Sequence, residues 1–257
     1  MSEMQVQPVG APAPPVGGGL TQWQRVVYTF SAPSKTFNDI RDRSRSWWLP
    51  LIILALGGYV MFAAITAKIG WQQVAENAVH QSPKAEERMA NATPEARATS
   101  QKFTVIFMEG AFIANPALVL LFAAVGSLVL WGTINFMFGG KAKYGNVFAV
   151  WLYASLPGII KSLLCVAVIY TGIAPESFNL SNPAPTNIGA FLNPMETNAA
   201  LYALAKALDI VTIWTLILAG IGVAAIAGVK RNSGYIAVFG WWVIIVLCSV
   251  GWAAAFG

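Results

Sequence analysis

Three ionisable side chains stand inside long apolar runs, and chemistry is sought there first. Lys161 lies near the middle of one run, while Lys206 and Asp209 stand three residues apart in another. A charge at the centre of a bilayer costs at least about 2.5–3.5 kcal/mol on insertion scales, so each of the three needs a partner. If the second run is one helix, Lys206 and Asp209 share a face at i,i+3 and can pair along it. Alternatively, Lys206 reaches outward along its aliphatic stem and Asp209 pairs across helices with Lys161. Such a group serves either an ion or proton path or a structural pair that fixes helix register. One isolated pair without further acids favours the structural pair.

Other chemistries lack their residues. His80 is the single histidine and sits in a polar stretch, with no Gly-x-Ser-x-Gly elbow to accompany it. Zinc asks for three or four clustered Cys, His or carboxylate ligands, and no such spacing occurs. Gly139-Gly140-Lys141 lacks the spacing and the following Ser/Thr of a phosphate loop, and reads as a basic turn. An intramembrane aspartyl protease needs two membrane aspartates, and Asp209 stands alone. Cys165 and Cys248 lie in apolar stretches and read as small packing residues rather than a disulfide framework. The expectation is a non-enzymatic protein with no metal and no cofactor.

The elements that must position these charges are membrane spans. Of 257 residues, 56% are hydrophobic and 11% charged, against roughly 25% charged in a soluble domain. So much apolar surface needs lipid as its solvent. The net charge of +5 does not point to nucleic acid, because its basic residues flank apolar runs and no basic groove or recognition motif accompanies them. The fold class expected is all-α, a polytopic membrane helix bundle with about five spans, at about 48–69, 116–138, 146–173, 201–229 and 235–256. About twenty-two residues at 1.5 Å each reach roughly 33 Å, enough for the hydrocarbon core. Trp47, Trp48 and Trp71 mark the two interfaces of the first span. Pro157-Gly158 should kink or break the third.

Residues 1–19 are rich in Pro and Gly without Lys, Arg or an apolar core, which reads as a disordered tail rather than a signal peptide. Residues 20–47 form an amphipathic segment of two short helices, with Leu20, Trp23, Val26, Val27 and Phe30 near one face and Pro33 opening the second. That segment either lies on the membrane surface with its basic side toward headgroups or packs as a soluble cap under the bundle. Between the first two spans, a polar stretch suits one or two helices interrupted at Pro83 and Pro94, and 103–113 grazes the interface.

Orientation follows from the basic residues. Arg25, Lys35, Arg41, Arg43 and Arg45, the turn with Lys141 and Lys143, and the turn with Lys230 and Arg231 fall on one side. The loop 174–198 on the other side has no Lys or Arg. The loop between the first two spans carries five basic residues among four acids and weighs the other way, but alternation across five spans puts the N-terminus in the cytoplasm and the C-terminus outside. The fourth run also contains Gly220-x-x-x-Ala224-x-x-x-Gly228, a small-residue stripe suited to close helix packing, against the fifth span through Gly240 and Gly251.

Three stretches carry a family resemblance. Phe30-Ser31-Ala32-Pro33-Ser34-Lys35-Thr36-Phe37 with Trp47-Trp48-Leu49-Pro50 is one. Gly140-Lys141-Ala142-Lys143-Tyr144-Gly145-Asn146-Val147-Phe148 with Tyr153-Ala154-Ser155-Leu156-Pro157 is the second, and Leu208-Asp209-Ile210-Val211-Thr212-Ile213-Trp214 the third. In order and layout, from about Trp23 to the C-terminus, the chain resembles the Yip family of Ypt/Rab-interacting membrane proteins, the Yip-one domain, in its bacterial form. The resemblance implies a five-helix domain with a cytoplasmic N-terminus, in the cytoplasmic (inner) membrane of a bacterium. Eukaryotic members act in vesicle traffic with Rab GTPases, a role that does not carry over to a bacterial-type chain, and the resemblance brings no catalytic residues.

The function expected is that of a membrane scaffold that organises lipid and partner proteins, membrane or cytoplasmic. Arg41, Arg43, Arg45, Lys141 and Lys143 are its contact surface. The alternative is a transporter, channel or lipid-moving protein with Lys161 and Asp209 as its polar centre, since broken helices line substrate sites. The sequence does not set an oligomeric state.

Overall fold

The computed structural model describes residues 18–256. The tail expected over 1–19 lies outside the described residues except for Gly18 and Gly19, as does Gly257. The described residues are helical, with one isolated bridge between Asn187 and Asp209 in place of any strand.

Two short helices come first, α1 (Gln22–Ser31) and α2 (Pro33–Asp42). Thr21 starts α1 with a capping box: its hydroxyl accepts the Gln24 N–H, and the Gln24 side chain accepts the Thr21 N–H. Pro33 opens α2, where its missing N–H loses nothing. The first span is α3 (Trp48–Lys68). The polar stretch after it forms α4 (Trp71–His80), α5 (Pro83–Ala90) and α6 (Pro94–Ile113). Ser82 and Thr93 cap α5 and α6, each with a proline in the first turn.

The second span, α7 (Asn115–Gly132), ends in a π-helical turn over Thr133–Met137. The third is broken into α8 (Tyr144–Ala154) and α9 (Gly158–Tyr170), with the break at Ser155-Leu156-Pro157. The fourth apolar stretch departs from expectation. Rather than one helix over 201–229, it forms α10 (Ala199–Ala207) and α11 (Ile210–Ala227). Between them Leu208 leaves the helix, and the Ile210 N–H bonds the Thr186 carbonyl, so the chain from 208 to 210 is held by the preceding loop. The last span is α12 (Arg231–Phe256). Among the described residues, five helical segments are thus long and apolar enough to cross a membrane: Trp48–Lys68, Asn115–Met137, Tyr144–Tyr170, Ile210–Ala227 and Arg231–Ala255.

Two buried cores hold the bundle. One, toward the end where α2, the start of α8 and the end of α11 meet, contains Phe37, Ile40, Ile134, Val147, Tyr153 and Val223. The other, at the opposite end, joins Ile65, Trp71, Val74, Cys165, Ile169 and Phe178. Asn77 donates to the carbonyls of Pro175 (2.7 Å) and Phe178 (2.9 Å), tying the Pro/Asn-rich loop to α4. Helix α11 packs along α12 where Gly234 faces Gly220 and Ala224 so closely that a Cβ on Gly234 would strike the Gly220 carbonyl. The small-residue stripe therefore meets Gly234 and Tyr235, not Gly240 or Gly251, which face open space. Gly228 serves differently: at φ +69° it is the left-handed cap that ends α11.

The N-terminal hairpin α1–α2 packs against α8 and α11, with Phe37 and Ile40 fully buried in the first core. On α1 the fully buried residues are Arg25 and Thr29, Val26 and Phe30 pack partly buried against the core, and Trp23 and Val27 point outward. Arg25 and Asp39 form an ion pair at 2.6 Å, and the Thr29 and Thr36 hydroxyls both donate to the Arg25 carbonyl. Arg25, read from the sequence as a surface charge, is thus an internal tie between α1 and α2.

Candidate functional site

Lys161 projects from the first turn of α9, directly after the break at Pro157. Asp209 is the N-cap of α11, where its Oδ1 accepts the Thr212 N–H at 2.7 Å. The break between α10 and α11 therefore leaves the carboxylate at a helix N-terminus, a position that favours negative charge. Lys161 Nζ lies 2.9 Å from Asp209 Oδ1 and donates to the Thr212 hydroxyl at 3.0 Å. The other carboxylate oxygen accepts from the Thr186 hydroxyl and from Asn187 Nδ2. The groups that bond the pair belong to α9, to the start of α11 and to the loop over it. The aspartate is 4% exposed and the lysine 36%.

Lys206 does not pair with Asp209. The helix break takes the two off a common face, and Lys206 instead points to Ser181 Oγ (3.4 Å) and lies over the Tyr202 ring. Its partial burial lowers its pKa from the ordinary lysine value. Lys161, Lys206 and Asp209 nevertheless share the wall of a small cavity of about 130 Å³, roofed by residues of the loop such as Asn182 and Thr186.

The basic residues singled out from the sequence gather at the other end of the bundle. Arg41, Lys141 and Lys143 line one open cavity of about 450 Å³ between α2, the turn before α8 and the end of α11. Arg41 also chelates the Asp42 carboxylate, which its hydrogen bond holds below the usual carboxylate range, and donates to the Ala225 carbonyl at 3.1 Å. Arg45 lies against the first turn of α8 at Gly145, while Arg43 is exposed beside Gly19. Sequence reasoning missed Thr186, Asn187 and Thr212 around Asp209. One signal for the last was legible: Asp209 followed three residues later by Thr212, ahead of an apolar run, is an N-cap pattern.

His80 pairs with Glu86 at 3.2 Å on the exposed surface of α4 and α5. Among the described residues no group of three His, Cys, Asp or Glu side chains is placed to hold a metal ion.

Five apolar spans around an internal Lys–Asp pair define a polytopic α-helical integral membrane protein. The chain belongs to the Yip1 domain family, whose domain matches residues 27–253. It is similar to the protein named membrane protein YknW of Bacillus subtilis (strain 168), 24% identical over 235 residues that cover 91% of each chain. No solved structure matches. The family, the Bacillus relative and the five spans are those of an integral membrane protein.

Proposed function

We propose that the protein is a non-enzymatic organiser of the bacterial inner membrane, with its N-terminus in the cytoplasm and its C-terminus outside. It presents a fixed basic platform on the cytoplasmic side to lipid and to partner proteins. The observation that carries this reading is the convergence of Arg41 with Lys141 and Lys143, about a hundred residues apart in sequence, on one cavity. The α1–α2 hairpin that holds Arg41 is anchored by Phe37 and Ile40 in the core, so the platform is preformed rather than assembled on binding. The opposing reading, transport through the Lys161–Asp209 centre, draws on the small cavity beside that pair.

Crosslinking in native membranes followed by purification separates the two. Organisation predicts that crosslinked partners are lost in the Lys141→Glu/Lys143→Glu variant and kept in the Lys161→Met/Asp209→Asn variant. Loss in the second variant alone, together with loss of solute flux in proteoliposomes, would move the function to the intramembrane pair.

A further inference from the structure

The turn between the second and third spans is built more tightly than a simple connector requires. Asn135, in the π-helical turn after α7, closes both backbone groups of Ala142: its Oδ1 accepts the Ala142 N–H at 2.9 Å, and its Nδ2 donates to the Ala142 carbonyl at 3.0 Å. The Trp131 indole donates to the same carbonyl. The Gly140 N–H bonds the Ile134 carbonyl, and the Lys141 N–H bonds the Ala227 carbonyl at the end of α11. A Cβ on Gly140 would press on Ile134 O and on Ala227, so glycine is what lets the turn lie this close. The backbone of residues 140–142 is therefore fixed, and Lys141 and Lys143 leave it on either side of the buried Ala142 into the same cavity.

The cavity contains a second polar feature that electrostatics at a surface does not need. Asn146, in the first turn of α8, is only 7% exposed, lines the cavity, and its side-chain amide makes no hydrogen bond among the described residues. The amide opens onto the cavity rather than being sealed from it, so its donor and acceptor are available to a polar group that enters there. The first turn of α8 adds little more, since Lys143 caps that helix with no side-chain hydrogen bond but its carbonyl accepts the N–H groups of Asn146 and Val147, leaving those of Tyr144 and Gly145. Arg41 keeps N–H groups beyond those given to Asp42 and Ala225. No carboxylate lines the cavity, although Asp42 holds Arg41 from outside it and offsets part of its charge. Donors thus converge from α2, the turn and α8, at the mouth of three spans.

We propose that this cavity binds a phosphate group, held by Arg41, Lys141 and Lys143 and received at its base by Asn146. Three cations with an amide donor match the several acceptor oxygens of a phosphate. The site lies where the third span begins and the fourth ends, the level of lipid headgroups. The phosphate can therefore come from an anionic phospholipid or from a soluble phosphate compound. The inference deepens the platform reading above, but binding itself does not depend on which way this face points.

The full chain is purified into detergent from nanodiscs of phosphatidylcholine containing phosphatidylglycerol, and retained lipid is read by native mass spectrometry. In a parallel arm, lipid-depleted protein is titrated with inorganic phosphate against chloride at equal ionic strength, and the melting temperature is followed. Retention of phosphatidylglycerol over phosphatidylcholine assigns the site to a lipid headgroup. A melting shift with phosphate, and no lipid preference, assigns it to a soluble phosphate compound. In either case Lys141→Gln and Lys143→Gln each weaken binding by about fivefold, the contribution of one basic residue near an anionic surface. Asn146→Ala weakens it too while leaving the charge unchanged, whereas Lys84→Gln at the far end has no effect. Absence of binding in both arms overturns the proposal, and so does binding that the lysine and Asn146 variants leave intact. The exposed lysines carry the test should Asn146→Ala fail to fold. The partner and topology experiments are independent of this result, so the site and the platform reading can fail separately.

Discussion

Lys161 and Asp209 meet at 2.9 Å although one opens α9 and the other caps α11, and both stand at helix breaks. Two interruptions of apolar runs are thus joined by one ion pair. The break in the third span presents the lysine at the start of a helix, and the break before the fourth turns the aspartate into a cap. The pair thus couples two apolar stretches whose helices are interrupted next to a charge.

Asp209→Asn keeps the N-cap, because Asn caps as well as Asp, and removes the charge that balances Lys161. Loss of one partner of a fully buried pair costs about 3–5 kcal/mol. With Lys161 36% exposed, a loss on the order of 2 kcal/mol is expected after allowing for solvent screening. Lys161→Met in the same chain should restore most of it, and Lys206→Met should restore none. Thermal melts of the three variants and the parent in detergent measure this; equal stability of Asp209→Asn and the parent would refute the pairing.

The Arg25–Asp39 pair is more deeply buried, with the two side chains 3% and 9% exposed. Arg25→Gln or Asp39→Asn should each destabilise by about 3–5 kcal/mol, while Arg43→Gln on the exposed rim changes stability by less than about 0.5 kcal/mol. Chemical denaturation in mixed micelles gives the comparison. Similar values for Arg25→Gln and Arg43→Gln would mean that α1 is not tied to α2 by this contact.

At the α11–α12 contact, Gly234→Val has no space to enter and should cost about 1–3 kcal/mol or more through overpacking. Gly240→Val, facing open space, serves as its control. Size-exclusion profiles and melting temperatures should separate the two variants, and a well-behaved Gly234→Val would show that the helices do not approach this closely.

Sidedness can be read by thiol labelling in a Cys165→Ala/Cys248→Ala background. A membrane-impermeant maleimide should label Asn193→Cys in intact cells and Lys143→Cys only after permeabilisation. Residue 143 lies at the end of the bundle where α11 finishes and residue 193 belongs to the loop over its start. Labelling of both in intact cells would break the five-span arrangement, and the reverse pattern would invert it.

The spans themselves were legible in the sequence because lipid imposes a local rule: each crossing must be a long apolar helix that satisfies its own backbone, whatever its neighbours do. For the same reason Pro33, Pro83, Pro94 and Pro157 marked helix starts and a break correctly, since a proline's effect on φ and on hydrogen bonding acts within one turn. At 208–210 the N-cap pattern of Asp209 was legible, but tertiary structure decided that the helix breaks there. Apart from Asp209 the residues around it are apolar and continue a helical pattern, and the break is held by the loop from 186 to 187, distant by some twenty residues, which supplies competing hydrogen bonds. That one event separates Lys206 from Asp209 and gives Asp209 to Lys161. Burial of Arg25 and the unpartnered amide of Asn146 were equally beyond local reading, because each depends on which surfaces of distant helices close over it. Charge and apolarity along a chain settle which segments enter the bilayer, whereas the partner of a polar side chain is settled by the packing of segments that sequence distance does not order.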